Sequence, residues 1–294
     1  MTLVRRLPLF VLPLALALSA PGFALAAKPK VDPTKEFLLH DYIRIKPFSW
    51  LDLSITKAVL YLLFAAVISV AAPILVIRGG LRQKPGRAQA VVEIVYSFVE
   101  STIARATLPQ KLFNTWFPYL AALFTFIWVS NLISYIPLPF DTEHKTHGIP
   151  GFTLYASTAN LSVTLALTLI TFFASHYVGI KNNGTRKYFK DMVWVAAAPA
   201  AVRPVIAALE VLSQLLRLVS LSVRLFANML AGHLLILMSA ALVIIIGHWY
   251  IGIITTPVGI FFYAFEFLLI ASLQAFIFAI LSGIYIGFAV EAPH

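Results

Sequence analysis

The residue of this chain best able to do chemistry in an apolar environment is Arg224. It lies within a long apolar stretch, and the nearest acidic residue downstream is Glu266. An arginine keeps its proton at every ordinary pH, so the stretch carries a permanent positive charge. A charge inside a membrane segment is costly, and it marks a functional site by default. We therefore expect Arg224 to meet an anion that its own helix does not supply.

A polar stripe surrounds this arginine. Glu210, Arg217 and Arg224 are spaced by seven residues, and seven residues turn a helix to within about 20° of two full turns. Ser220 falls on the same side, and Asn228 lies one turn beyond Arg224. Because Glu210 is about 21 Å from Arg224 along the helix axis, the two cannot form an ion pair. The stripe is predicted to face water, protein or the charge of a partner.

Further polar residues suit proton exchange. His233 follows Arg224 by nine residues and projects from roughly the opposite face, and a histidine exchanges protons near neutral pH. Glu266 and Gln274, eight residues apart, lie broadly on one side of the next helix. If the two helices form a hairpin, we expect His233 to approach Glu266. Two other polar residues, Asn131 and Asn160, are also candidates, although hydrogen bonding between helices is their commoner explanation.

The composition indicates an integral membrane protein. Apolar residues make up 60% of the 294-residue chain and charged residues only 12%, and the mean hydropathy is +0.89. Soluble domains carry roughly 25% charged residues. The net charge of +10 comes from cations beside apolar segments, which indicates membrane topology rather than nucleic-acid binding.

Several kinds of chemistry find no support in the sequence. The absence of cysteine excludes disulfides, thiol nucleophiles and Cys-ligated metals. The sequence has no H-E-x-x-H or G-x-S-x-G motif and no Gly-rich phosphate loop. We therefore predict no enzyme activity for the chain alone, no cofactor and no metal site.

The N-terminal segment and the basic loops predict the topology. Residues 1–27 have a basic start, a short apolar run and an Ala-Leu-Ala site, which is typical of a signal peptide; a short first transmembrane helix is the alternative. Residues 28–57 form an external segment and 58–294 a single membrane domain. A cytoplasmic loop is predicted by the cations Arg78, Arg82, Lys84 and Arg87, so the mature N-terminus lies outside.

The predicted fold class is an all-α polytopic membrane protein with five membrane-crossing helices. The predicted spans are 58–77, 115–137, 153–180, 204–246 and 250–290, and residues 88–106 form an amphipathic helix on the cytoplasmic side. The last two spans are each about 60 Å long at 1.5 Å per residue, twice the ~30 Å thickness of a bilayer core. They are therefore predicted to form a strongly tilted or broken hairpin.

The residues around Arg224 resemble a known family. The string Ser-Val-Arg-Leu-Phe-Ala-Asn-Met-Leu-Ala-Gly at 222–232, followed by Leu-Gln-Ala-Phe at 273–276, is similar to subunit a of bacterial F-type ATP synthases. The chain departs from that family in two places. Relatives often have an ionisable residue seven positions before the glutamine, where this chain has Phe267 next to Glu266. In the third span, relatives commonly have Asp and Asn where this chain has Asn160 and Ser162.

The resemblance implies a proton-translocating stator subunit in the bacterial inner membrane. Arg224 matches the arginine that faces the carboxylates of a rotating ring of small proteolipid subunits, the c-ring. Glu210, Asn228 and Gln274 match polar positions near the proton path, and His233 stands where relatives have His or Glu. The implied partners are the c-ring, the peripheral-stalk b subunits and membrane lipid.

Two other classes of protein compete with this interpretation. A stand-alone ion channel or secondary transporter would be indicated by an internal repeat, and the sequence shows none. A membrane enzyme is the second class, but the sequence has none of the catalytic motifs named above. Haem ligation would need paired histidines, and nothing pairs His176, His233 and His248.

Overall fold

A computed structural model of the chain describes residues 41–43, 55–136, 138–146, 149–153, 156–188, 202–246 and 249–290. Five helices in these ranges are long and apolar enough to cross a membrane. The predicted all-α polytopic fold class is confirmed. The predicted signal peptide lies outside the described residues.

The described residues before 134 contain three long helices. They are α1 (Lys57–Arg78), α2 (Arg87–Phe98) and α3 (Gln110–Ile133). The amphipathic helix α2 continues through a π-helical turn, Val99–Ala104, and a short helix, Arg105–Thr107. Two small antiparallel strand pairs lie between the helices: β1 (Asp41–Ile43) with β2 (Ile55–Thr56), and β3 (Leu138–Thr146) with β4 (Ile149–Thr153).

The third membrane-capable helix, α4 (Leu161–Asn183), begins later than the sequence predicted. The expected start was near residue 153, but residues 149–153 are β-strand and Ser157–Ala159 form a 3-10 turn. Asn160 is the N-cap of α4, and its side chain accepts a hydrogen bond of 2.9 Å from the amide of Ser162. A side-chain acceptor at this position satisfies an amide that has no partner within the helix. It therefore fixes the start of α4.

The C-terminal half forms the predicted helical hairpin. Its first arm is α5 (Arg203–Ile246), and its second arm consists of α6 (Trp249–Phe265), a π-helical turn (Glu266–Ile270) and α7 (Ala271–Val290). α5 packs against α6 and α4, and α7 packs between α3 and α4. The strong tilt stays a prediction.

The core lies where α7 meets α3 and the end of the amphipathic segment. Small residues on α7, such as Ala275 and Ala279, are fully or almost fully buried. At Gly283 a Cβ atom would lie 2.2 Å from the Thr107 hydroxyl oxygen, and at Gly287 it would lie 2.4 Å from the Thr107 carbonyl oxygen. Small residues let membrane helices approach closely. This packing anchors the second arm of the hairpin against the rest of the protein.

Candidate functional site

A buried cluster of ionisable and phenolic side chains connects the hairpin to the end of α3. Glu266, only 8% exposed, accepts a hydrogen bond of 2.8 Å from the hydroxyl of Tyr135. The hydroxyl of Tyr263 donates to the backbone carbonyl of Tyr135 at 2.7 Å, and the two rings meet edge to face. Burial, and then the neighbouring charge of Glu266, raises the pKa of Tyr135 well above that of an ordinary phenol. Tyr135 therefore keeps its proton and remains a donor to Glu266.

His233 belongs to the same cluster. Its ring lies 5.0 Å from the ring of Tyr135, between centroids. Its Nδ1 atom is 3.1 Å from the carbonyl oxygen of Met229, and its Nε2 atom is 3.3 Å from that of Ser134. A proton on either ring nitrogen thus has an acceptor, so both tautomers can be bound. We call His233, Glu266, Tyr135 and Tyr263 the His233 cluster.

The glycine before His233 sets how closely Glu266 approaches α5. A Cβ atom at Gly232 would lie 1.6 Å from the Oε2 atom of Glu266 and 2.1 Å from its Oε1 atom. The carboxylate therefore packs directly on the backbone of α5, beside His233. Glu266 and His233 both contact Tyr135. The sequence led us to expect that these two residues approach each other across the hairpin.

Asn131 lies next to this cluster and is fully buried. Its side-chain amide donates to the carbonyl of Ala271 at 3.2 Å and accepts from the hydroxyl of Thr158 at 2.9 Å. Three separate elements meet through these bonds: α3, α7 and the turn before α4. Asn131 therefore has the interhelical bonding role that is usual for such residues, at the edge of a site with titratable groups.

The opposite face of α5 is exposed and carries Arg224. Exposed apolar residues precede and follow it on α5, namely Leu209, Leu212, Leu216, Val219, Val223, Leu235 and Met238, each at least 38% exposed. Arg224 and Ser220 are exposed in the same stripe, and Asn228 is half-buried at its margin. The ion pair formed within the described residues joins Arg105 to Glu100, and none involves Arg224. No anion of the described chain therefore compensates this charge.

A second polar group lies farther toward the N-terminal end of α5. Gln214 donates a hydrogen bond of 3.0 Å to Glu210. Burial, and then the charge of Glu210, raises the pKa of Tyr188. The guanidinium of Arg217 lies 5.7 Å from the ring centroid of Tyr285 on α7, a distance that permits a cation–π interaction. We call Glu210, Gln214 and Tyr188 the Glu210 cluster.

Three groups of candidate residues thus follow one another along α5. Arg224 stands between the two clusters, about 21 Å from Glu210 and about 14 Å from His233 by helical rise. Gln274 is buried on α7 at 4% exposure, and Asn160 caps α4.

Reasoning from the sequence missed Tyr135 and Tyr263. Tyr135 lies near the end of an apolar stretch, where a tyrosine is usually explained by its preference for the membrane interface. Tyr263 lies within another apolar stretch, where nothing in the sequence distinguishes it.

The comparison with protein families decides the class of the chain. The family described as ATP synthase A chain matches residues 59–287, which include every group described above. The chain belongs to the ATP synthase A chain family. The resemblance found in the sequence is confirmed, and the chain is a component of the ATP synthase complex rather than an enzyme on its own.

Curated relatives agree with this family over most of their length. The chain is 37% identical to ATP synthase subunit a of Bradyrhizobium diazoefficiens over 272 residues, covering 90% of this chain and all of the relative. It is 34% identical to ATP synthase subunit a of Rhodopseudomonas palustris, over 90% of this chain and 99% of the relative. A subunit a of Cereibacter sphaeroides is also 34% identical, with 83% and 84% covered. The His233 cluster, the Glu210 cluster and Arg224 all fall within the region matched to the A chain family.

Proposed function

We propose that this chain is the stator subunit that carries protons between the two sides of a bacterial inner membrane and a rotating c-ring. The observation that carries the proposal is the position of Arg224. It is a cation with no ion-pair partner among the described residues, on an exposed apolar face of α5, between the buried His233 cluster and the half-buried Glu210 cluster. A partner with an apolar surface and one carboxylate per subunit fits this face, because it covers the leucines and supplies the missing anion.

The two clusters suit two separate half-channels. In the predicted topology the His233 cluster lies toward the outside and the Glu210 cluster toward the cytoplasm. In the proposed path, His233 and Glu266 pass protons by acid–base exchange from the outside to a ring carboxylate. The proton leaves on the other side past Glu210, after the ring has turned. Gln274, Asn228, Asn131, Asn160 and Ser220 supply polar lining for these paths.

Arg224 separates the two half-channels and discharges the ring carboxyl groups. A carboxylate without a counter-charge is very unfavourable in an apolar environment. The guanidinium stabilises the ionised form of each arriving carboxyl, so the proton leaves. Because arginine does not give up its own proton, it cannot pass one between the half-channels. The driving force is the membrane potential, about 2.3 kcal/mol per charge per 100 mV, together with the pH difference.

The proposed assembly can be tested by purifying the full-length chain from its native membrane in mild detergent. We expect a small carboxylate-bearing proteolipid, a peripheral-stalk subunit and the soluble ATPase subunits to co-purify with it. The reconstituted complex should pump protons on addition of ATP. A chain that purifies alone and conducts protons alone in liposomes would contradict the proposal, and it would favour a stand-alone channel.

Replacing Tyr135 with phenylalanine tests the role of the His233 cluster. The change removes the hydroxyl that donates to Glu266 at 2.8 Å and leaves the ring beside His233. Hydrogen bonds to charged groups contribute about 1.5–3 kcal/mol, so we expect passive proton flux through the membrane sector to fall by about tenfold. The measurement is acidification of potassium-loaded vesicles after valinomycin. The control is Tyr119→Phe, which removes a hydroxyl bonded to Thr171 on α4 at 3.0 Å and should leave the flux within about twofold. An equal loss in both variants would contradict the role of Tyr135.

A further inference from the structure

The second arm of the hairpin changes its helical hydrogen-bond pattern at the site itself. Glu266–Ile270 form a π-helical turn, and the amide of Ala271 donates to the carbonyl of Glu266, five residues back. An α-helix joins residues four apart, so this turn holds one more residue than an α-helical turn. The turn begins at the one acidic residue of the His233 cluster.

The additional residue decides which way Glu266 faces. Glu266 and Gln274 are eight positions apart, and in an uninterrupted α-helix they would diverge by about 80°. With one residue absorbed by the π-helical turn, the separation is equivalent to seven α-helical residues. The two side chains then diverge by only about 20°. Both are buried, at 8% and 4% exposure, as expected for residues on one inward face.

Side chains of α3 and of the residues just after it hold both ends of this turn. Trp128 donates from its indole nitrogen to the hydroxyl of Ser272 at 3.0 Å, and Asn131 donates to the carbonyl of Ala271 at 3.2 Å. Tyr135 holds the other end through the carboxylate of Glu266. Trp128 and Asn131 are three residues apart, so they lie on one side of α3, and Tyr135 follows in the turn after that helix. The turn is therefore fixed by its neighbours where it meets the cluster.

The outer side of the same turn is largely exposed. Leu268 is 64% exposed and Leu269 is 57% exposed. Phe267 instead stacks on Tyr263, with ring centroids 6.4 Å apart. One leucine can therefore be removed from the exposed side without removing a residue of the His233 cluster.

We propose that the π-helical turn at Glu266–Ile270 is a positioning element of the proton path. Its additional residue turns Glu266 onto the face of Gln274 and toward Tyr135, so that an acid eight positions before the glutamine serves as if it were seven positions before it. Leu268 and Leu269 act only through Glu266 and make no contact with the proton. The inference rests on the proposed function, because it assumes that Glu266 carries protons.

Two variants of the complete ATP synthase complex test this geometry. Deletion of Leu268 converts the turn to an α-helix and leaves the acid seven residues before the glutamine, so it should retain at least about half of the passive proton flux, with the same pH profile. The exchange variant, Glu266→Phe with Phe267→Glu, keeps the turn but moves the carboxyl group by one position. Its flux should fall by more than about tenfold, since a relay group must lie within hydrogen-bond reach of its proton.

Two further variants complete the test: a matched deletion of Phe261, and Glu266→Gln, which removes the acid. Deletion of Phe261, also exposed, should abolish flux, because the chain must then rotate either Glu266 or the whole of α6 out of position. Membrane content and co-purification of the other subunits are measured for each variant. The proposed geometry would be overturned if the exchange variant conducted protons and the Leu268 deletion assembled but did not. Unchanged flux in Glu266→Gln would instead overturn the role of Glu266 in the proposed function, and this inference with it.

Discussion

Replacing Arg224 with alanine should abolish ATP-driven proton pumping while the chain still inserts and assembles. Arg224 has no carboxylate partner among the described residues and lies on an exposed face, so its removal leaves no unpaired charge inside the folded chain. The cost falls on the partner. A carboxylate that must ionise beside this face without a counter-charge loses about 3–5 kcal/mol, which is roughly two to four powers of ten in its ionisation.

The same substitution should also remove the separation between the half-channels. Without the fixed cation, a ring carboxyl group can pass the face while protonated, and protons can leak without driving ATP synthesis. Arg224→Lys should fail largely as well, because a desolvated lysine can lose its proton, whereas arginine does not. The measurements are ATP-driven quenching of a pH-sensitive dye in inverted membrane vesicles and passive flux in vesicles stripped of the soluble sector.

The matched control for this prediction is Arg217→Gln, one heptad away on the same helix. The guanidinium of Arg217 already lies over the aromatic ring of Tyr285. We therefore infer that Arg217 is not the charge that meets the carboxylates of the c-ring. We expect this variant to keep a large part of its pumping, with a loss below about tenfold. Normal pumping by Arg224→Ala, or an equal failure of both variants, would refute the special role of Arg224.

The sequence was sufficient to predict the two faces of α5. Arg224 and His233 are nine residues apart, which is about two and a half helical turns, so the two side chains had to point in opposite directions. In the structure Arg224 is exposed and His233 is 5% exposed. Local spacing along a single helix determined this result, so no knowledge of the neighbouring helices was needed.

The orientation of Glu266 could not be predicted in the same way. Spacing rules assume an uninterrupted α-helix, whereas the turn at Glu266–Ile270 is π-helical. The residues just after this turn accept hydrogen bonds from Trp128 and Asn131, which lie more than 130 residues earlier in the chain. The start of α4 was missed for a similar reason. An apolar pattern continued upstream of the N-cap at Asn160, and only the backbone hydrogen bonds show where the helix begins.

Tyr135 shows the limit of composition as a guide. It lies two residues beyond the end of α3, in a turn, where a tyrosine is ordinarily explained by its preference for the membrane interface. Its contacts with Glu266 and His233 join residues 131 and 98 positions away in the chain. Such long-range pairs come from the packing of the hairpin against α3, which a single sequence does not reveal.

The second large effect is expected from Gly232→Ala, a change of one methyl group. The added Cβ atom would lie 1.6 Å from the Oε2 atom of Glu266 and 2.1 Å from its Cδ atom, so the carboxyl group must move. Because it is the end of a flexible side chain, it can rotate away at little cost to folding. We therefore expect normal assembly but a loss of passive proton flux of about tenfold to a hundredfold, since the acid leaves hydrogen-bond reach of Tyr135.

Two further variants distinguish displacement of the acid from general damage to the hairpin. Gly259→Ala is the control, because a Cβ atom there would lie 3.1 Å from the hydroxyl of Ser239, a contact that a small shift relieves; its flux should stay within about twofold. Combining Gly232→Ala with Glu266→Asp shortens the acid by one methylene and should restore part of the flux, although Glu266→Asp alone lowers it. Such recovery can arise only if the methyl group and the carboxylate compete for the same space. If the double variant is no better than Gly232→Ala alone, the packing of Glu266 against α5 does not govern proton transfer.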